Sequence, residues 1–156
     1  MNKIISVQKS VKIAIGLHKK KKKIVLVGGV FDILHLGHVK FLEKAKKEGD
    51  FLFVFLESDE AVRKRKGKGR PVNIQKDRAQ VLAALKAVDF VIILKGLLKH
   101  NDYDRIVKLI SPDVLATTAK DPNIAHKLRQ AKLVKAKVKI VIKRIKSKST
   151  SKILKK

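Results

Sequence analysis

The sequence predicts an α/β fold, a doubly wound five-stranded parallel sheet in a single domain, and two patterns carry that prediction. The first is a series of uninterrupted apolar runs at residues 24–27, 51–56, 90–94, 114–116 and 140–142. The second is the spacing between the runs, which leaves room for a helix in every interval. Strands that are apolar throughout, rather than alternating, are buried on both faces, and helical crossovers between them make the sheet parallel.

Each element follows from local chemistry. Residues 1–18 fit two patterns: Val11, Ile13, Ile15 and Leu17 alternate like a strand, whereas Val7, Val11, Ala14 and Ile15 share a helical face that Ser6 would cap. We read a helix, within a basic lead-in over 1–23 that precedes the domain proper, 24–156. The first run leads through a glycine-rich turn into a helix that ends near Glu48-Gly49-Asp50, where Gly49 suits a left-handed cap. A further helix is expected from Asn73, with Ile74, Val81, Leu82, Leu85 and Val88 on its buried face. Ser149 is placed to cap a last short helix through Ile153 and Leu154. The architecture is Rossmann-like.

Composition narrows the function classes. The chain has 156 residues, 45% of them apolar, enough for one core, and no apolar run approaches the length of a membrane span. With no cysteine, neither a disulfide frame nor a thiolate metal site is available, and only two of the five histidines cluster. The first nine residues lack the apolar core and cleavage site of a secretory signal, so a cytoplasmic location is expected. The formal charge of +26 concentrates at 19–23, at 63–70 and beyond Asp121, where no further acid follows. Such a field attracts polyanions, whether nucleotides, nucleic acid or an anionic membrane surface. Lysine greatly outnumbers arginine and aromatic content is 4%. Both suit a lysine-rich proteome better than a dedicated nucleic-acid reader, which would need stacking platforms.

Residues 28–38, Gly-Gly-Val-Phe-Asp-Ile-Leu-His-Leu-Gly-His, carry the most chemical information. They join the first apolar run to a helix. A helix start offers unpaired N–H groups and a positive dipole end to a phosphate. His35 and His38, three apart at that start, lie on one side, and Gly37 lets a phosphate approach the backbone.

At these residues the chain resembles the nucleotidyltransferases whose signature is a strand, Gly-x-Phe-Asp, then His-x-Gly-His: here Gly29-Val30-Phe31-Asp32 and His35-Leu36-Gly37-His38. The stretch Lys66-Gly67-Lys68-Gly69-Arg70-Pro71-Val72-Asn73, with Asp77-Arg78 after it, is similar to the heptose 1-phosphate adenylyltransferase domain of that superfamily. Arg144 and Lys148-Ser149-Thr150-Ser151-Lys152-Ile153 resemble its closing phosphate-binding motif, with Lys148 where the family has an isoleucine.

The resemblance implies transfer of a nucleoside monophosphate to a phosphorylated small molecule, with loss of pyrophosphate. It implies His35, His38 and Lys66 as catalytic residues. It implies nucleotide binding by Gly28, Gly29, Val30, Phe31, Asp32, Gly37, Lys64, Arg78, Arg144, Ser149, Thr150 and Ser151. Mg²⁺ would accompany the triphosphate, with protein ligands unassigned, and Asp32 would order the loop. ATP ranks ahead of CTP, and a sugar phosphate such as heptose 1-phosphate is the implied acceptor. Glycerol 3-phosphate with CTP, and FAD synthesis, are the alternatives in the same class. Where many members carry Gly-Gly-Asp, this chain has Thr117-Thr118-Ala119-Lys120-Asp121, with Thr117 and Thr118 as substitute donors and Asp121 as the carboxylate. A basic nucleic-acid-binding protein and an inactive nucleotide sensor are the rival classes. The resemblance also suggests a homodimer, which a charge of +26 per subunit opposes.

Overall fold

The computed structural model describes residues 2–143 and 150–155. In chain order these form β1 (Ile4–Ser6), α1 (Val7–Lys19), β2 (Ile24–Gly29), α2 (Leu36–Lys46), β3 (Phe51–Leu56), α3 (Asp59–Lys66), α4 (Gln75–Ala84), β4 (Phe90–Ile93), α5 (His100–Ile110), β5 (Val114–Thr118), α6 (Ile124–Val134), β6 (Lys137–Ile142) and α7 (Thr150–Leu154). Every strand pairing is parallel, in the order β1-β4-β3-β2-β5-β6.

The sheet therefore has six strands rather than the expected five. The addition is β1, which pairs Ile4 with Val91 and Ile5 with Ile92 along the edge of β4. Three residues are too few to show a periodicity, which is why the sequence concealed it. The helix behind it matches expectation: Ser6 is the N-cap of α1 and its side chain accepts from the Lys9 N–H at 3.2 Å.

Successive strand residues feed two separate cores. Val25, Val27, Leu52, Val54, Leu56 and Val91 face α2 and α4, meeting Phe41, Leu42, Ala45 and Leu82. Ile24, Leu26, Phe53, Phe55, Phe90 and Ile92 face α1, α5 and α6, meeting Ala14, Val107, Ile110 and Ala131. Helices on both faces make the sheet doubly wound and explain why its strands read as apolar runs. Each fully buried aliphatic side chain contributes about 1.5–3 kcal/mol relative to exposure.

Two local expectations are corrected. The fourth helix starts at Gln75, not Asn73, because Asn73 bonds to Asp32 instead; Ile74 and Val81 are exposed, and Arg78, Ala79 and Leu82 form the buried stripe. Gly49 is not among the residues with positive φ. Its place is set by close approach: a Cβ there would lie 2.8 Å from Val25 Cγ2 and 3.1 Å from the Lys23 carbonyl oxygen.

Candidate active site

The strand order reverses between β2 and β5, and ligands of open α/β sheets bind outside the carboxyl ends of strands at such a switch point. The pairing there is short. Only Val25 with Val114 and Leu26 with Leu115 are in register, although β2 continues to Gly29 and β5 to Thr118. Beyond those pairs the strands part, and a cleft of 370 Å³ opens, lined by residues 28–32, His35, Gly37, His38, Lys66, Arg70, Thr117, Thr118, Lys120, Lys127, Lys143, Thr150 and Ser151 among others. Sequence reasoning named eleven of these as site residues and missed the cations at 70, 120, 127 and 143.

The first wall is the turn from β2 into α2. His35 is the N-cap of α2, and its Nδ1 accepts from the Gly37 N–H at 3.1 Å. His38 reciprocates, its Nδ1 accepting from the His35 N–H at 3.4 Å, in the manner of a capping box. Both Nδ1 atoms are thus acceptors, which leaves Nε2 of each ring to carry a proton, a donor suited to a phosphate oxygen. The rings stack with centroids 3.9 Å apart. Burial, then the charge of the neighbouring His35, push His38 down to about 4, against an opposing pull from the Ile33 carbonyl. At neutral pH His38 is therefore an uncharged donor.

Phe31 and Asp32 hold that turn. Phe31 has φ 47°, a left-handed conformation that costs a bulky residue on the order of 1–3 kcal/mol. Its buried ring meets His38 edge-on at 5.2 Å, and a Cβ on Gly29 would fall 2.8 Å from it. Asp32 is buried, and its carboxylate accepts from Arg70 Nε at 2.8 Å and from the N–H groups of Val72 and Asn73, each at 2.9 Å. Burial alone would raise its pKa, but these three donors outweigh it and hold the carboxyl below the usual range. The carboxylate is committed to the 70–73 loop, so Asp32 reaches the cleft as part of its frame.

The basic residues after β3 divide into three cases. Lys66, the last residue of α3, lines the cleft. Lys64 is exposed and outside that lining. Arg78 differs most from expectation: it is 1% exposed, behind the wall, donating to the carbonyls of Asn73, Val30 and Glu57 and to Asp59 Oδ1. With four donor bonds made inside the protein, Arg78 fastens the first wall to β3 and α3 rather than facing the cleft.

The opposite wall comes from β5 and α6. Asp121 accepts from the Thr117 hydroxyl, the Lys127 ammonium and, at 2.8 Å, the Asn123 N–H. Burial would raise the Asp121 pKa; Lys127, Thr117 and Asn123 outweigh it and lower it. At the far end, Thr150 donates to the Ile33 carbonyl at 3.3 Å, bringing α7 onto the first wall. The expected phosphate ligands Arg144 and Ser149 lie outside the described residues.

A second cavity of 500 Å³ adjoins the first, sharing Gly28, Gly29, Val30, Lys66, Pro122 and Lys127 with it. Its own lining includes Phe55, Glu57, Arg65, His100, Tyr103 and His126. The Tyr103 hydroxyl donates to both oxygens of Glu57, at 2.9 and 2.7 Å, and burial together with that carboxylate raises the Tyr103 pKa well above its usual value. His100 and His126 stack at 4.0 Å.

This geometry has counterparts. The Cytidylyltransferase-like family profile matches residues 26–156. The bifunctional protein HldE of Nitratiruptor is 50% identical over 99 residues, covering 64% of this chain and 21% of that protein. HldE of Aliarcobacter butzleri is 44% identical over 133 residues, covering 81% and 27%. The chain thus spans well under half the length of these curated relatives. Among solved structures, the lipopolysaccharide core biosynthesis protein from Thermoplasma volcanium superposes with a TM-score of 0.63 at 30% identity, over 78% of this chain and 95% of that one. The signature turn, the switch-point cleft and a profile match over most of the length together make this chain a member of the Cytidylyltransferase-like family.

Proposed function

We propose that this chain transfers AMP from ATP to the phosphate of a heptose 1-phosphate type acceptor, releasing pyrophosphate. The observation that carries the reading is the pairing of two cavities across one histidine-bearing turn, the first of them cationic. The triphosphate takes the cavity between β2 and β5. The phosphorylated acceptor takes the second, where Glu57, Tyr103 and His100 offer hydrogen bonds to sugar hydroxyls.

No covalent enzyme intermediate is needed: an acceptor phosphate oxygen attacks the α-phosphorus and pyrophosphate leaves. The protein contributes alignment and charge compensation. The Nε2–H groups of His35 and His38 stabilise the α-phosphate, and Lys66 reaches over the triphosphate. Magnesium, arriving with the triphosphate as part of the substrate, would supply further charge neutralisation. Among the described residues no three histidine or carboxylate side chains cluster to hold a metal, and the Asp32 carboxylate already accepts three hydrogen bonds. The preference for ATP follows the likeness of 66–78 to the heptose-type domain, and we place the reaction in the cytoplasm, where ATP is supplied. No described helix is long and apolar enough to cross a membrane.

A pyrophosphate-release assay crossing ATP and CTP with heptose 1-phosphate, glycerol 3-phosphate and FMN tests this. Turnover is expected with ATP and heptose 1-phosphate. Absence of turnover with every pair overturns the reading.

A further inference from the structure

We infer, resting on the nucleotidyl-transfer reading, that Lys127 is a catalytic cation that bridges the acceptor phosphate and the α-phosphate. The two cavities meet along six shared residues, and among those only Lys66 and Lys127 carry a charge. Nucleophile and electrophile are both anionic phosphates, so the junction is where their repulsion peaks and where a cation has most effect. Lys66 approaches from the end of α3; Lys127 approaches from the first turns of α6, on the opposite side.

Lys127 is built for position. Its side chain is 22% exposed and that of Asp121, its partner, 9%. Asp121 is in turn fixed by the Thr117 hydroxyl on β5 and the Asn123 N–H, so the ammonium is tethered to the end of a sheet strand. The carboxylate takes one of three ammonium N–H groups, which leaves two for phosphate oxygens. A lysine serving only to hold the 121–123 turn would duplicate what Thr117 and Asn123 already do, at the desolvation cost of a half-buried ion pair. In the reaction, a new bond forms from the acceptor phosphate oxygen to the α-phosphorus as the bond to the bridging oxygen breaks, its electron pair leaving on pyrophosphate. Lys127 moves no proton; it holds one oxygen of each phosphate while charge shifts between them.

The test compares full-length variants with ATP and heptose 1-phosphate. Lys127→Met is expected to lower kcat about 100-fold. ATP affinity measured without acceptor should stay within roughly threefold, and Lys127→Arg should recover part of the rate. Lys132→Met, on the same helix but lining neither cavity, should keep the wild-type rate. An unchanged kcat in Lys127→Met overturns the inference. Where the Met variant does not fold, Lys127→Gln, which can still hydrogen-bond to Asp121, carries the same expectation. If neither folds while Lys127→Arg shows the full wild-type rate, the role is structural and the inference falls. A wild-type chain without turnover on any pair removes the reaction itself, a result distinct from an active wild type with an unaffected variant.

Discussion

The two walls of the cleft are alike in construction, a parallel strand turning into a helix, but they are stiffened by different means. After β2, the histidine turn is capped by neighbours in sequence, Gly37 on His35 and His35 on His38, and its ion pair, Asp32 with Arg70, stands behind it as part of the frame. After β5, it is held by an ion pair six residues apart, Asp121 with Lys127, and a strand hydroxyl. The first wall presents ring N–H donors from a helix start, the second an ammonium on a carboxylate tether. A wall made of donors can organise a transition state without prepaid Coulomb attraction, whereas a wall made of charge draws substrates in and is weakened by salt.

The largest expected effect lies on the first wall. His38→Ala should lower kcat on the order of 1,000-fold, measured by pyrophosphate release, with circular dichroism unchanged. A smaller loss there than in Lys127→Met would invert the comparison and make charge the leading contribution. Next comes the fastening behind that wall. Arg78→Met strands three carbonyls and Asp59, and should destabilise the fold by about 3 kcal/mol in a urea titration. A change under about 0.5 kcal/mol would show that the first wall stands without its buried arginine.

A third effect concerns protonation. Burial first, then His35, pushes His38 in the folded chain down to about 4, below its ordinary value of 6.5. Above pH 6.5 both folded and unfolded forms are neutral and the group makes no difference. As pH falls from 6.5 towards 4 the unfolded chain takes up a proton that the folded chain refuses, so stability drops, by on the order of 2 kcal/mol after solvent screening. Urea titrations at pH 7 and pH 4 should show that drop in the wild type and not in His38→Gln. Equal drops would assign the acid sensitivity elsewhere. The smallest effect is expected in the second cavity: Tyr103→Phe should raise the acceptor KM about fivefold, near 1 kcal/mol, and leave kcat within about twofold. A change in the ATP KM instead would reverse the assignment of the two cavities.

Legibility followed the same division. The parallel sheet with helices on both faces was readable because buried strands must be apolar on every residue, and the 28–38 turn because its donors and acceptors are a few residues apart. The edge strand β1 was not, since three residues carry no period. Arg78 read as a phosphate ligand because its place after the 66–73 stretch resembles the family's pattern; only the fold reveals four acceptors converging on it. Lys127 left no mark at all. A lysine three residues into a helix, in a chain with 39 basic residues, is indistinguishable in one dimension from a solvated one.

The short register between β2 and β5 has a mechanical consequence. Two residue pairs join a four-stranded plate to a two-stranded one, while β2 and β3 share six. The sheet is then two plates on a narrow seam, with the His35–His38 turn on one plate and Asp121–Lys127 on the other. An anion held from both sides therefore ties the two plates together across the seam where the sheet itself contributes least.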